Sequence, residues 1–235
     1  MKKIMFNDEY GLTKAVLEGR KTQTRRVITY PKTFHGKDVC GFYVCRRATD
    51  GYITEVCMYD ENESFIDEGQ ILPKYKVGEV VAVAQSYCSI VDELGNCNNA
   101  SCVAHYEKNV QKASEYISWM EYPGFNNKMF VAADMMIHRI RITDVRVERL
   151  QDISDDDCLK EGVVKIVHRI PTKAPQYITM YYPSMSLKEA ADKLGGGRVY
   201  SIPQCAYAEL IDKVSRIGIW ESNPYVFVYD FELVD

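Results

Sequence analysis

Three segments of this chain, near its start, in its middle and at its end, have the residue pattern of β-strands. They are TRRVITY from Thr24, IHRIRITDVRVERL from Ile137 and PYVFVYDFELV from Pro224. β-branched or aromatic side chains recur in all three, as is typical of strands with one buried face. Only short helical patterns lie between them, whereas a parallel βαβ sheet alternates strands and helices regularly. The order predicts an α+β fold built on a small mixed β-barrel.

The central segment contains a change of phase. Ile140 and Ile142 share one face of the predicted strand, and Val145 and Val147 share one face of its continuation. The two sets are out of step by one residue, so the alternation slips at residues 143–144. An extra residue in one strand is the mark of a β-bulge. We therefore expect a bulge or a bend at this point.

Short helices are predicted on either side of these strands. Residues 7–19 have Asn7 as a candidate N-cap and Gly19 as a natural stop. ISDDDCLKEG follows the central strand, with Ser154 in a capping pattern and Gly162 as its stop. A further helix is predicted for QCAYAELIDKVSRIG. GFYVCRRATDGYITEVCMYD predicts a β-hairpin, and VVAVA a buried strand.

The bulk composition is that of a globular domain with a substantial core. The chain has 235 residues, of which 46% are hydrophobic and 26% are charged. No apolar run approaches the ~20 residues that a membrane helix needs. The opening MKKIMFNDEY lacks the apolar region of a secretory signal. We therefore expect a cytoplasmic protein with no membrane partner.

The eight cysteines do not form a recognisable metal-binding or disulfide pattern. No pair has C-x-x-C spacing, and without a secretion signal reduced thiols are expected. CNNASC together with His105 is the one cluster near metal-ligand spacing, and a polar loop is the favoured interpretation. We predict no metal and no cofactor.

A basic segment stands out in a chain whose net charge is -4. LEGRKTQTRRVI, from Leu17, places Arg20, Lys21, Arg25 and Arg26 within seven residues. The overall charge argues against unspecific coating of DNA, but a local basic groove is compatible with it. The segment also begins at a predicted helix C-terminus, where cations are favoured without any ligand.

Three interpretations of the segment remain open from the residues alone. It is a solvated loop whose cations pair with the acidic run 155–157, an edge that binds a polyanion, or a lysine set beside a catalytic hydroxyl. Surface ion pairs of the first kind contribute only ~0–1 kcal/mol. Under the first interpretation, Thr24 is an ordinary strand residue and Glu161 is an exposed helix residue.

The residues of this segment, with three others, resemble a known family. LEGRKTQTRRVI is similar to the G-x-K-x-x-T-x-R signature of ASCH domains, a branch of the PUA-like superfamily. YKVGEVVAV, RITDVRVERLQDISDDDCLKEGV and GIWESNPYVFVYDFEL resemble further family segments, in the same order. The likeness is greatest to the longer ASCH proteins of phages and mobile elements in gut bacteria, and it covers about half of the chain.

The resemblance implies one PUA-like domain over residues 1–235, with short flanking helices and large insertions at 33–72, 91–128 and 163–215. It also implies a cleft that binds RNA, a nucleotide or a modified nucleoside. We expect the ligand-binding residues in the basic segment, namely Arg20, Lys21, Thr24, Arg25 and Arg26.

One small bacterial ASCH enzyme is an amidohydrolase that deacetylates acetylcytidine. Carried over by motif, its lysine, threonine and glutamate fall on Lys21, Thr24 and Glu161. A threonine hydroxyl needs a base to take its proton, and neighbouring cations lower the pKa of a lysine that plays this part. Glu161 would then protonate the leaving amine. An amidohydrolase is therefore the alternative function, and a mobile-element accessory protein that binds a partner through its insertions is a weaker one.

Overall fold

The computed structural model describes residues 1–49, 51, 53–95, 124–170, 176–186, 188–189 and 198–234. The strands in chain order are β1 (Lys3–Ile4), β2 (Gln23–Val27), β3 (Thr33–Phe34), β4 (Lys37–Asp38), β5 (Gly41–Arg46), β6 (Ile53–Tyr59), β7 (Phe65–Gln70), β8 (Val80–Val83), β9 (Arg139–Arg149), β10 (Val164–Ile170), β11 (Gln176–Tyr182) and β12 (Tyr225–Leu233). The α-helices discussed are α1 (Leu12–Leu17), α2 (Tyr87–Gly95), α3 (Asp155–Lys160), α4 (Pro203–Val214) and α5 (Ile219–Ser222). The predicted mixed α+β character is confirmed.

The three strand segments singled out in the sequence are neighbours in one sheet. Its order is β1-β8-β9-β12-β2, with β12 antiparallel to both β9 and β2, and β1 parallel to β8. The buried faces of these strands form the main core, with fully buried side chains such as Ile140, Ile142, Val226 and Val228. The start, middle and end of the chain therefore meet in the centre of the fold.

The predicted irregularity in β9 is confirmed. Opposite β12, Asp144 pairs with Asp230 and Ile142 pairs with Phe231, so that Thr143 has no partner of its own. This is the two-against-one pairing of a β-bulge. The bulge resets the alternation and brings Ile140 and Ile142 onto the core face.

The first helix is shorter than the sequence predicts. α1 spans only Leu12–Leu17, and a turn occupies the residues before it. Asn7 does not cap the helix, because its side-chain oxygen accepts a hydrogen bond from the Tyr10 amide inside that turn. Gly11, at φ 66°, then redirects the chain into the helix. The predicted start at residue 7 is therefore wrong by five residues.

The helix after the central strand forms as predicted. The Ser154 hydroxyl accepts a hydrogen bond from the Asp157 amide at 3.1 Å, which caps the N-terminus of α3. Glu161 is the C-cap residue, and Gly162 follows at φ 110°. The capping signal in the sequence thus positions Glu161 at a defined place beside β2.

The three predicted insertions differ in how much of them is described. Segment 33–72 contains β3 and β4 as one hairpin and β5-β6-β7 as a separate sheet, which includes the predicted hairpin. Segment 163–215 contains the antiparallel pair β10 and β11 and the predicted helix α4. Most of segment 91–128, with the CNNASC and His105 cluster, lies outside the described residues. The division into one domain with these insertions stays a prediction.

The central sheet ends at β1 on one side and β2 on the other. Among the described residues no strand pairing closes it, so the PUA-like barrel also stays a prediction. The Arg26 guanidinium of β2 does donate a hydrogen bond to the Met5 carbonyl just after β1. In the described part of the chain, no helix combines the length and apolar character needed to cross a membrane.

Gly162 is expected to tolerate substitution poorly. A Cβ there would lie 3.1 Å from Leu12 Cδ2, at a φ of 110° that favours glycine. Gly162→Ala should lower the free energy of unfolding by about 1–3 kcal/mol, as measured by urea denaturation. Gly19→Ala is the control, because Gly19 also has a positive φ but no atom lies within 4 Å of the place that a Cβ would take. An equal cost in both variants would show that the contact with Leu12 is unimportant.

Candidate functional site

The basic segment is held between α1 and β2 by backbone hydrogen bonds. The amides of Arg20 and Lys21 both donate to the Ala15 carbonyl at 2.9 Å, after Gly19 turns the chain at φ 69°. After this turn, the Arg20 guanidinium pairs with Glu18. The same turn brings the following lysine under the end of α3.

Lys21 is a buried ammonium with a complete set of acceptors. Its side chain is only 2% exposed, and Nζ donates to the Gln23 carbonyl at 2.8 Å, the Glu161 carbonyl at 2.7 Å and Glu161 Oε2 at 2.6 Å. Three acceptors match the three hydrogens of a protonated lysine. Burial lowers the pKa of Lys21, and the charge and hydrogen bond of Glu161 oppose that shift.

Glu161 is held from two sides, although a carboxylate is locally disfavoured at a helix C-terminus. Oε2 accepts from Lys21, and Oε1 accepts from Arg25 Nη1 at 3.2 Å. Both partners come from a segment about 140 residues earlier in the chain. The two cations offset the unfavourable position and join the end of α3 to the start of β2.

Arg25 is the centre of a wider ionic network behind this pair. Its side chain is fully buried, and its guanidinium donates to Gln23, Glu148, Asp157 and Glu161. Burial acts to lower the pKa of Arg25, but Glu161 and Glu148 raise it overall. The guanidinium thus stays charged and is committed to side chains of the protein.

The acidic run 155–157 is only partly used by the basic segment. Asp157 accepts from Arg25 Nη2 at 3.3 Å and from Gln23 Nε2 at 3.2 Å. Lys21 contacts Glu161 instead, and Arg20 pairs with Glu18. Arg25 therefore contacts the acidic run as one part of a buried network, and the interpretation of a solvated loop that neutralises this run applies to neither Arg25 nor Lys21.

A cleft of about 520 Å³ opens beside this ion pair. One wall consists of residues after β1 and along β2, and the other of α4, α5 and the turn between them. The lining combines a few polar groups with a largely apolar surface, and comprises Met5, Phe6, Asn7, Leu12, Lys21, Thr24, Arg25, Arg26, Val27, Thr29, Glu161, Tyr207, Leu210, Ile211, Val214, Ser215, Arg216 and Ile219.

All three residues predicted as catalytic line this cleft. Lys21 and Glu161 form its ionic floor, and Thr24 is 5% exposed beside them. Among the described residues, no side chain accepts from or donates to the Thr24 hydroxyl, so it is available to a ligand. Of the other predicted ligand-binding residues, Arg25 and Arg26 line the cleft and Arg20 does not.

Tyr207 is a cleft residue that was not among the predicted site residues. It lies on α4 in the helical pattern of Leu210 and Ile211, which indicates packing, and its ring does pack against Trp220 at 6.0 Å. Its hydroxyl is buried and, in the described part of the chain, has no hydrogen-bond partner. Burial, with Glu161, raises the pKa of Tyr207 well above its ordinary value, so the phenol stays neutral.

One group outside the cleft has the side chains of a metal ligand set. Cys45, Glu55 and Cys57 of the β5–β6 hairpin have ligand atoms within 4.8 Å of one another. Structural zinc sites have four ligands and need thiolates, whereas burial and the nearby Cys45 raise the pKa of the Cys57 thiol. This favours the protonated form of Cys57, and the absence of a metal stays a prediction.

Comparison with protein-family models, with curated proteins and with solved structures found no match.

Tyr207→Phe should leave the protein as stable as the wild type, or up to about 1 kcal/mol more stable. The reason is that a buried hydroxyl without a partner costs free energy, which phenylalanine avoids. Tyr75→Phe is the matched control, because the buried Tyr75 donates to the Lys3 carbonyl at 2.8 Å and should lose about 1 kcal/mol. Urea denaturation measures both; a loss in Tyr207→Phe equal to that of the control would reveal a partner for the hydroxyl.

Proposed function

We propose that this chain is a cytoplasmic PUA-like ASCH domain that binds a nucleotide, a modified nucleoside or RNA in the cleft beside Lys21. The observation that carries the proposal is the meeting of Lys21, Thr24 and Glu161 in one cleft. These residues come from the two segments in which the sequence most resembles ASCH domains. A surface loop would not require a lysine to be buried against a glutamate 140 residues away.

The size and lining of the cleft suit a small, partly apolar ligand. Pockets for such ligands have volumes of ~300–1,000 Å³ and few polar groups on an apolar lining. Here Phe6, Leu12, Leu210 and Ile211 supply apolar surface for a flat ring. Thr24 supplies a hydroxyl that both donates and accepts, which suits the polar edge of a base.

Replacing Thr24 by valine should weaken binding without disturbing the fold. Valine has the shape of threonine and suits a strand, but it lacks the hydroxyl. Loss of one hydrogen bond to a ligand should reduce affinity about 5- to 10-fold. Titration calorimetry at low salt with ribonucleosides, acetylcytidine, nucleotides and a short single-stranded RNA measures this.

Thr22→Val is the matched control, because Thr22 lies in the same segment but does not line the cleft. It should bind as the wild type does. If the wild type binds none of these ligands at low salt, the proposed function is wrong. Equal affinities for wild type and Thr24→Val would show that the Thr24 hydroxyl does not bind the ligand.

The second candidate function is the hydrolysis of an amide on a modified nucleoside. It is favoured by the burial of Lys21 against Glu161, with Nζ and Oε2 2.6 Å apart. The reaction requires transfer of one proton across this distance, which gives a neutral amine and a neutral acid. No hydrogen bond joins Lys21 and Thr24 in the structure, so the amine must turn from Glu161 toward Thr24 to take its proton as the hydroxyl attacks the amide carbonyl. Glu161 protonates the leaving amine, and water releases the acyl group as an acid.

Acetylcytidine is the substrate that tests this candidate, with release of cytidine followed by chromatography. Thr24→Val should abolish turnover, and Thr22→Val should retain it. No turnover by the wild type, or equal turnover by Thr24→Val, would exclude this mechanism. Binding of acetylcytidine without turnover would leave the binding function in place.

A further inference from the structure

The cations of the cleft fall into an interior group and a mouth group. Lys21 and Arg25 are buried in the interior, and their charges are balanced by Glu161 and the carboxylates behind it. Arg26 and Arg216 are exposed, and neither has a carboxylate partner in the part of the chain that the structure describes. The positive charge of the cleft is therefore unbalanced only at its mouth.

Arg26 belongs to the wall formed by β2. Its one hydrogen bond to protein, among the residues described, is to the Met5 carbonyl, through a single guanidinium nitrogen. A guanidinium has five N–H donors, so several remain for a ligand. The hydroxyl of the exposed Thr29 lines the same side of the cleft.

Arg216 belongs to the opposite wall, just after the end of α4. Two acidic residues of α4 that are near it in the sequence are already engaged. Asp212 accepts from the amides of Gly218 and Trp220 at 3.0 and 2.9 Å, and Glu209 pairs with Lys213 at 2.6 Å. Within the described ranges, Arg216 is thus left without a counter-charge beside the cleft.

We propose that the ligand carries a phosphate, which binds at the mouth between Arg26 and Arg216 while the nucleoside lies in the interior. This inference rests on the proposed function and names the class of ligand as a nucleoside phosphate, either a free nucleotide or a nucleotide of an RNA strand. Two guanidinium groups on facing walls match the charge and the several acceptor oxygens of a phosphate. The Glu161 carboxylate disfavours an anion in the interior, so the phosphate has one favourable position.

The test compares ribonucleosides with their 5′-monophosphates by titration calorimetry at low salt. We expect each nucleotide that binds to do so at least about 10-fold more tightly than its nucleoside, with the difference shrinking as salt is added. Arg216→Ala should reduce this ratio several-fold. Lys14→Ala removes a positive charge of α1 that does not line the cleft and leaves Glu18 paired with Arg20, so it should leave the ratio unchanged.

The outcomes separate this inference from the function on which it rests. Nucleosides that bind as tightly as their nucleotides would overturn the phosphate site and leave the proposed function standing. Failure of nucleosides, nucleotides and a short oligoribonucleotide to bind would overturn both. Binding of the oligoribonucleotide alone, weakened by Arg216→Ala and not by Lys14→Ala, would support the site and identify RNA as the source of the phosphate. If both variants lowered the ratio equally, overall positive charge and not Arg216 itself would explain the tighter binding of nucleotides, and the proposed phosphate site would be wrong.

Discussion

The buried contact between Lys21 and Glu161 joins parts of the fold that are otherwise distant. It ties the loop after α1, the start of β2 and the end of α3 into one unit. Such a pair is costly to desolvate, and removing one partner typically costs ~3–5 kcal/mol because the other charge is left buried alone. Well-packed apolar residues in this space would often make the fold equally stable or more stable. The retention of charge beside a cleft therefore favours a role in ligand binding.

The sequence predicted the elements of this region better than it predicted their contacts. The Ser154 cap, the bulge at Thr143 and the three principal strands follow from local patterns, and each is present. The start of α1 was wrong, because a turn closed by Asn7 competes with the cap that the same side chain would make. The sequence alone does not distinguish Arg25 from Arg26, because the partners of each arginine come from elements that lie far away in the chain. The Arg25 guanidinium pairs with carboxylates from β9 and α3, whereas the Arg26 guanidinium has no carboxylate partner among the described residues.

Tyr207 illustrates a second limit. At one position of a helix that packs on the core, tyrosine and phenylalanine give the same helical pattern in the sequence and bury similar apolar surface. Whether the hydroxyl finds a partner depends on side chains from other elements, which no local pattern contains. The distribution of charge in the cleft has the same origin, since Asp212 and Glu209 of α4 are occupied elsewhere and no carboxylate among the described residues pairs with Arg216.

The two walls of the cleft differ in how strongly substitutions in them affect the stability of the fold. The β2 wall is continuous with the central sheet and with the buried ion pair, so most substitutions there also affect folding. The α4 wall comes from segment 163–215, and its exposed end at Ser215 and Arg216 carries little of the core. Substitutions at that end can change ligand preference at small cost in stability. Diversification of related chains should therefore concentrate on the α4 side, with the ionic floor kept constant.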